Sequence, residues 1–323
     1  MVLRRLFGGP PAMSFMITLT PEHLALLGTL LSEFLAEPRA EPRRIVHGRG
    51  RSFPGLEALC VDWFPPVLLV SVYAPFDQPA DLLETIDAAD VPRQVETVVL
   101  QHRDQPESPA EVLRGALPEK LVVSEAGLHF EVRPGQQQNA GLFLDTRPLR
   151  QWLRHHSQGR NVLNLFAYTC ALSVAALAGG ARAVTNVDIS KTSIAWGERN
   201  HRLNGQPAAS VHSIPYNLFT SWGRIRQFGR YDLIIVDPPT RQRRAFNAER
   251  DYGAVLRKLD KCLNSGAWLV CALNSPFLDG EFLTAQIAKY LPQASFVEAL
   301  PAAPEFIEAE PGKGLKIHVY EVP

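Results

Sequence analysis

The second half of the chain alternates short apolar strand patterns with helical patterns, and this alternation constrains the fold more than any other feature. The strand patterns cover residues 161–166, 182–187, 209–213, 231–236 and 267–273. Apolar residues at helical spacing cover 149–156, 169–178, 190–203, 217–223, 249–263 and 279–290, and two late strands follow at 295–299 and 314–321. Alternating units with apolar strands predict an α/β fold with a parallel, doubly wound sheet.

The first half has a different pattern. Residues 21–36 repeat apolar side chains at helical spacing, with Thr20 as N-cap and Pro21 in the first turn. Short strand patterns follow at 56–64, 67–73, 95–101, 121–124 and 128–132, with one clear helix at 81–88. We therefore predict an N-terminal helical segment (1–45), a small, mostly antiparallel α+β domain (46–135) that is a candidate for RNA binding, and a Rossmann-like domain (136–323).

Composition and charge narrow the class of protein. Lys plus Arg (33) equals Asp plus Glu (33), so a nucleic acid would have to be met by a local basic patch. The four cysteines show no C-x-x-C spacing and the nine histidines do not group with them, so we expect reduced thiols in a cytoplasm and no metal site. No apolar run approaches the roughly 20 residues of a membrane helix, and no signal-peptide core follows Arg4 and Arg5; Met13 or Met16 could equally be the start.

Polar residues follow three of the predicted strands, where parallel sheets bind ligands. Thr169 precedes a helix whose N–H groups favour an anion such as a carboxylate, although it could equally be an ordinary N-cap. Asp188 could accept hydrogen bonds from both hydroxyls of a ribose, or cap the helix that Ser190 begins. Asn217 could pair with an adenine edge or serve as a cap.

The type of nucleotide is constrained by what is missing. Neither G-x-G-x-x-G nor G-x-x-x-x-G-K-[ST] occurs, so no glycine-rich cradle for a pyrophosphate is present. A nucleoside without bridging phosphates is indicated, and S-adenosylmethionine fits better than NAD or ATP.

The Asp-Pro-Pro-Thr sequence at 237–240 is the sharpest local signal. Two prolines at the end of a central strand stiffen the chain and remove two N–H donors, which holds the carbonyls and the Asp237 carboxylate towards the cleft. This arrangement suits a planar base placed beside a methyl donor. The alternative is an ordinary strand-ending turn.

These motifs resemble bacterial class I S-adenosylmethionine-dependent methyltransferases that modify bases of large-subunit ribosomal RNA. The resemblance covers about residues 46–323 and is strongest at 141–147, 163–169, 187–190, 198–205 and 237–240. Residues 141–147, 237–240 and the pair Arg250 and Asp251 are closest to the guanine-N7 branch. Residues 47–64 are instead similar to the middle domain of the cytosine-5 branch.

The resemblance implies roles for particular residues. Residues 166–169 would line the methionine end of the cofactor, Asp188 would hold its ribose, Asn217 would face its adenine, and residues 141–147 would close over the site. The full set of expected cofactor contacts is Phe143, Asp145, Arg147, Asn164, Phe166, Ala167, Tyr168, Thr169, Asp188, Ile189, Ser190, Asn217 and Asp237. Three departures from the family pattern are Cys170 and Leu172 in place of a glycine-rich turn, Asn217 in place of an aspartate, and an N-terminal helix in place of a complete RNA-binding module.

The identity of the methylated atom depends on a cysteine. Methylation of cytosine C5 needs a cysteine that adds to the neighbouring carbon, and relatives of that branch carry it after the fifth strand. Here Leu273 or Asn274 takes that position, and Cys271 lies inside the strand as an expected core thiol. We therefore predict transfer to a base nitrogen, with Asp237, Pro238, Pro239 and Asn274 as the catalytic residues.

Four arginines flank the Asp-Pro-Pro-Thr turn and are the predicted RNA contacts: Arg241, Arg243, Arg244 and Arg250. The alternative is a solvated loop balanced by Glu249 and Asp251. The leading hypothesis is an S-adenosylmethionine-dependent enzyme in the cytoplasm that methylates a base in RNA, with ribosomal RNA as the expected partner. A non-catalytic RNA-binding or assembly protein, and a methyltransferase for proteins or small molecules, remain the alternatives.

Overall fold

The computed structural model describes residues 16–242 and 245–323, which form two sheets with helices packed on them. The elements before residue 133 are α1 (Pro21–Leu35), β1 (Arg43–His47), β2 (Leu59–Phe64), β3 (Val67–Val72), α2 (Pro79–Ala89), β4 (Thr97–His102), β5 (Ala110–Arg114), β6 (Leu121–Glu125) and β7 (Leu128–Val132). Short 3-10 turns lie at Gly48–Gly50 and Ala208–Ser210.

The elements of the second half agree with the predicted alternation. They are α3 (Arg147–His156), β8 (Asn161–Leu165), α4 (Ala171–Ala178), β9 (Ala183–Val187), α5 (Lys191–Leu203), β10 (Val211–Ile214), α6 (Leu218–Gln227), β11 (Tyr231–Val236), β12 (Arg241–Gln242), β13 (Phe246–Asn247), α7 (Ala248–Leu259), β14 (Leu263–Asn274), α8 (Gly280–Tyr290), β15 (Ser295–Leu300) and β16 (Leu315–Val322). Thr20 caps α1 as predicted, because its hydroxyl accepts from the N–H of His23.

The small sheet has the order β1-β2-β3-β4-β5. It is antiparallel except where β3 and β4 run parallel, across the crossover helix α2. The strands β1 and β5 were not predicted. Both lie at edges and expose or half-expose most of their residues, so neither has an alternating apolar pattern from which a strand could be inferred.

The large sheet has the order β10-β9-β8-β11-β14-β16-β15. It is parallel from β10 to β14, whereas β16 runs antiparallel to both of its neighbours. The strand order reverses between β8 and β11, and ligands bind at such a switch point, beyond the carboxyl ends of the strands. The predicted α/β fold is confirmed, with β16 as the one reversed strand of the central sheet.

Three apolar cores hold these layers together. One joins α1 and α2 to the small sheet, so the predicted boundary at residue 45 falls inside β1 and α1 packs on the strands that follow it. A second lies between α6, α7, α8 and one face of the large sheet. The third packs the hairpin β6–β7, α3 and α4 on the opposite face and also includes Phe64, Leu69 and Val99 of the small sheet.

The hairpin β6–β7 was expected to be part of the small domain, but it contacts the large sheet's helices. Two amides bind β7, one in α5 and one at its C-cap: Asn200 accepts from the N–H of Glu131, and Asn204 bonds both the N–H and the carbonyl of His129. Arg199 pairs with the Glu131 carboxylate at 2.7 Å. The motif at 198–205 therefore joins the hairpin to α5. In the described part of the chain, no helix is both long and apolar enough to cross a bilayer.

Candidate functional site

The turn between β8 and α4 is tightly coiled without glycine. Phe166, Tyr168 and Cys170 all adopt positive φ angles, of 60°, 47° and 63°. Left-handed backbone costs a non-glycine residue roughly 1–2 kcal/mol and is concentrated at functional sites. Cys170, at the position where a glycine was expected, seats its sulfur against Gly197, where an added Cβ would lie 2.2 Å from it.

Asp188 is tied to this turn. Its carboxylate accepts the Tyr168 N–H at 3.0 Å and the Ser190 N–H at 2.8 Å. Burial raises its pKa, and these two hydrogen bonds act in the opposite direction. Since a carboxylate has about four lone-pair sites, Asp188 keeps acceptor capacity for a ligand. The N-cap of α5 is supplied by Ser190, whose hydroxyl accepts from Ser193.

A shallow groove runs from this turn along the ends of β9 and β10. Its walls are apolar apart from one carboxylate and two amides, and they consist of Phe166, Val187, Asp188, Ile189, Asn217, Leu218, Phe219, Gln242, Ala245 and Phe246. Asn217 caps α6, because its side-chain oxygen accepts from Phe219 N–H at 2.9 Å. The structure thus realises the capping alternative for Asn217 and also places this residue in the groove.

Residues 141–147, the closing segment, pack against the same turn. The Thr169 hydroxyl donates to the Gly141 carbonyl at 2.6 Å, so Thr169 fastens this segment and does not cap α4. Gly141 has φ of 105°, and a Cβ there would lie 2.3 Å from the Trp196 ring. The Tyr168 hydroxyl donates to the Asn139 carbonyl, and the Phe143 ring lies 5.4 Å from the Tyr168 ring.

Arg150, which sequence reasoning missed, fixes the closing segment from below. It is 2% exposed, forms two hydrogen bonds to the Glu125 carboxylate, and donates to the Phe143 carbonyl and the Thr146 hydroxyl. Because Glu125 lies on the hairpin β6–β7, the hairpin sets the position of the closing segment. An arginine inside an amphipathic helix carries no signal that distinguishes this buried role from an exposed one.

Asp237 and the two prolines follow β11, as predicted. The Thr240 hydroxyl donates to the Asn274 carbonyl at the end of the neighbouring strand β14. The Asn274 amide in turn donates to the Asp145 carboxylate of the closing segment at 3.2 Å. Three predicted site residues, Asp145, Asp237 and Asn274, are therefore brought together from three separate parts of the chain.

The two carboxyl groups of this cluster are hard to ionise. Burial, and secondarily the charge of Asp145, raise the pKa of Asp237 to about 7. Burial also raises the pKa of Asp145, against the opposing charges of Arg44 and Arg150. Near neutral pH the Asp237 carboxyl can thus either accept or donate a hydrogen bond, and proton acceptors and donors of active sites are commonly tuned in this way.

A cavity of about 750 Å³ opens from this cluster into the space between the two sheets. Asp145, Phe143 and Asn274 line it, and so do Arg49, Tyr73 and other residues of the first half of the chain. Its volume lies in the range of ligand sites. The sequence placed no site here, because the wall is built from loops of both halves.

Some predicted residues lie elsewhere. Asn164 is 1% exposed, and its amide donates to Asn186 in a buried polar network beneath α4 and α5. Arg147 forms two hydrogen bonds to the Glu305 carboxylate. Ala167 packs with Cys170 and Ile194 in a small apolar cluster, so it supports the turn from the inside.

The predicted RNA arginines do not form one described patch. Arg241 is exposed, whereas Arg250 binds both carboxylate oxygens of Asp251 at 2.8 Å. The charge of Arg250 is therefore balanced by Asp251, as expected if this segment is a solvated loop. Arg243 and Arg244 lie outside the described residues.

Cys271 is a core thiol, as predicted. It is 0% exposed within β14, and burial raises its pKa to about 12. A thiol becomes nucleophilic as the thiolate, so Cys271 is unsuited to attack a base. Among residues 16–242 and 245–323, no group of three or more His, Cys, Asp or Glu side chains could hold a metal ion.

Comparisons with known proteins identify a family. The model of the family described as S-adenosylmethionine-dependent methyltransferase matches residues 43–321. The chain is 31% identical over 231 residues to the ribosomal RNA large subunit methyltransferase K/L of Hahella chejuensis, covering 67% of this chain and 32% of that protein. It is 38% identical over 160 residues to the protein of the same name from Shewanella pealeana, covering 48% of this chain and 22% of that protein. The chain thus spans about a third or less of these relatives.

Solved structures share the fold. A protein from Streptococcus mutans described as an S-adenosylmethionine-dependent methyltransferase superimposes with a TM-score of 0.80 at 24% identity, over 93% of this chain and 81% of that one. The methyltransferase SMU.776, complexed with SAH, superimposes with a TM-score of 0.80 at 25% identity, over 93% and 82% of the two chains.

Proposed function

The chain belongs to the S-adenosylmethionine-dependent methyltransferase family, and from this premise we propose that it transfers the methyl group to a nitrogen atom of a nucleobase in RNA. Two relatives are named as methyltransferases of large-subunit ribosomal RNA, which supports that RNA as the substrate. The observation that carries the proposal is the cluster of Asp145, Asn274 and Asp237: the first two line the interdomain cavity, and burial together with the charge of Asp145 raises the pKa of Asp237. Action on ribosomal RNA would also place the enzyme in the cytoplasm.

The groove and turn fit the cofactor. Asp188 has spare acceptor sites for ribose hydroxyls, since each of its oxygens binds one backbone N–H. Ile189 and Phe219 supply apolar surface for the adenine, with Asn217 at its edge. Phe166, Tyr168 and Phe143 would lie at the methionine end, and the bound cofactor supplies an electrophilic methyl group on a sulfonium.

The chain's own residues then orient the acceptor nitrogen. The rigid Asp237-Pro238 turn presents a carboxyl and a carbonyl side by side, and both can accept hydrogen bonds from a base amino group. Asn274 holds Asp145 at 3.2 Å, which keeps the closing segment against this turn. If an exocyclic nitrogen is methylated, one proton leaves it, and the ionised Asp237 carboxylate can accept this proton.

Nitrogen is favoured over carbon because a cysteine nucleophile is lacking. The cysteines of the chain are all buried, and burial raises the pKa of Cys271, the one closest to Asn274 in sequence, to about 12. A nitrogen lone pair can attack the methyl group directly, so positioning and desolvation suffice.

The proposal is tested by methyl transfer to RNA. Total RNA from a strain lacking this gene would be incubated with the purified chain and S-adenosylmethionine carrying a tritiated methyl group, and digested nucleosides would be analysed by mass spectrometry. We expect one N-methylated nucleoside, lost in Asp237→Ala. A C-methylated nucleoside would refute the choice of atom, and cofactor binding without any transfer to RNA would refute RNA as the substrate.

A further inference from the structure

The turn at residues 48–51, which we call the arginine turn, is built with almost no free space around its backbone. A Cβ at Gly48 would lie 1.7 Å from the Leu56 carbonyl oxygen, and a Cβ at Gly50 would lie 2.0 Å from the Ile307 carbonyl oxygen. The Gly50 carbonyl accepts from Ala309 N–H at 2.7 Å. This turn is therefore fixed between the small sheet and the loop that precedes β16.

The residues alternating with these glycines are arginines, and both line the interdomain cavity. Arg49 and Arg51 are exposed, and Arg51 takes a left-handed conformation with φ of 59°. A strained non-glycine residue persists only where its surroundings hold it, and such residues cluster at ligand sites. The tight glycines thus fix the points from which the two arginines leave the backbone.

Arg49 also belongs to a small cluster on the cavity wall. Its guanidinium lies 4.6 Å from the centre of the Tyr73 ring, and the guanidinium of Arg103 lies 5.6 Å from the same ring. Arg103 is held further by a hydrogen bond to the Gln138 carbonyl, just before the closing segment. Cation–π contacts orient a guanidinium by its face and leave its N–H edge available for an anion.

Other cations of the cavity are already neutralised. Arg44 forms two hydrogen bonds of 2.7 Å to Asp62, and Lys313 lies 4.0 Å from Glu310. Within the residues that the structure describes, Arg49, Arg51 and Arg103 have no carboxylate partner within ion-pair distance. The carboxylates of Glu57 and Glu308 also line the cavity, and the charge of Arg49 acts on Glu308 from beyond that distance. The positive charge available to a ligand is thus concentrated on these three arginines.

We propose that the arginine turn, together with Tyr73 and Arg103, is a phosphate clamp that holds the RNA strand beside the target nucleotide. This inference rests on the proposed function and makes it more specific: the target base lies at Asp145 and Asn274, and the flanking phosphates lie on Arg49 and Arg103. It assigns RNA positioning to the small domain. The arginine pattern had predicted RNA binding by the loop after Asp237, and the clamp does not require that loop.

The test is the salt dependence of RNA binding. Binding of a fluorescein-labelled single-stranded oligouridine would be measured by anisotropy at several salt concentrations for wild type and for the double variant Arg49→Gln, Arg103→Gln. Each lost phosphate contact should flatten the plot of log K against log[salt] by about 0.7, so the double variant should lose about 1.4 from the slope and bind at least about tenfold more weakly at low salt. Cofactor binding, measured by calorimetry, should stay unchanged.

Arg182→Gln is the control, because this arginine is 66% exposed, precedes β9 at the amino ends of the strands and does not line the cavity; it pairs with Asp232 at 3.6 Å. It should leave the slope unchanged. If the double variant keeps the wild-type slope while wild type methylates RNA, the clamp is refuted and the proposed function stands. If Arg241→Gln flattens the slope and the double variant does not, the strand follows the loop after Asp237 and the clamp is equally refuted. If wild type neither binds nor methylates RNA, both proposals fail.

Discussion

Replacing Asp237 by asparagine should change how the stability of this protein depends on pH. Burial and the charge of Asp145 raise the pKa of Asp237 from 3.8 to about 7. The folded state therefore keeps this proton between about pH 4 and pH 7, whereas the unfolded chain releases it. Because the folded state binds more protons over this window, the free energy of unfolding falls as pH rises through it and levels off above about pH 7.

The size of the effect follows from the pKa. A rise from 3.8 to about 7 corresponds to at most about 4 kcal/mol of stability lost between pH 4 and pH 8, and water that reaches the half-buried side chain reduces this value. Asp237→Asn has no such proton to lose. The difference in unfolding free energy between variant and wild type should thus grow in favour of the variant by about 2–4 kcal/mol over the same window.

Urea unfolding followed by circular dichroism at several pH values measures this difference. Asp104→Asn, on an exposed turn, is the matched control and should show no such trend. Asp145→Asn should lower the pKa of Asp237 and shrink the pH dependence, since one of the two causes of the raised pKa is removed. A wild type that gains stability relative to Asp237→Asn as pH rises would refute the reasoning.

Three further outcomes are expected. Asp188→Ala would remove the two charge-assisted ribose bonds proposed for this residue, of about 1.5–3 kcal/mol each, and should raise the Kd for S-adenosylmethionine at least about 100-fold in calorimetry; an unchanged Kd would exclude Asp188 from the cofactor site. Cys271→Ala should keep a rate of methyl transfer within about tenfold of wild type and lose about 1 kcal/mol of stability. Complete loss of transfer in a folded variant would instead point to a covalent mechanism. Gly141→Ala should destabilise the protein by about 1–3 kcal/mol more than Gly127→Ala in urea unfolding. Both glycines have a positive φ, but only an added Cβ at Gly141 would meet the Trp196 ring. Equal losses of stability would show that this contact is relieved at little cost.

Much of the fold could be predicted because buried strands of a parallel sheet are short and uniformly apolar. The strands β8 and β11 were found within one residue of their observed ends, and so was the polar turn after each. Edge strands lack this signal. The strand β1 has the sequence Arg-Arg-Ile-Val-His and pairs with a neighbour on one side only, so its charged residues obscure the apolar pattern of a strand. A pattern of buried side chains predicts only elements that are buried.

The arrangement of the candidate site could be predicted where it depends on strand ends, and it was missed where it depends on packing between distant segments. Asp188 and Asp237 lie where parallel strands end, and topology alone brings them to one edge of the sheet. Asn164 shows the opposite case, since residues of a strand alternate between faces and this position points to the helices. Arg150 and the arginine turn act through contacts with Glu125 and Ile307, which no local spacing reveals.

The apolar core that includes Phe64, Leu69 and Val99 together with α3 and α4 has a consequence for how the protein melts. Residues of both sheets lose contact with the same neighbours when either sheet opens, so neither can unfold while the other keeps its full stability. We expect one cooperative calorimetric transition whose van't Hoff and measured enthalpies agree. The distance between the two sides of the cavity is then set by the packed core, and any ligand that enters must adjust its own shape to that distance.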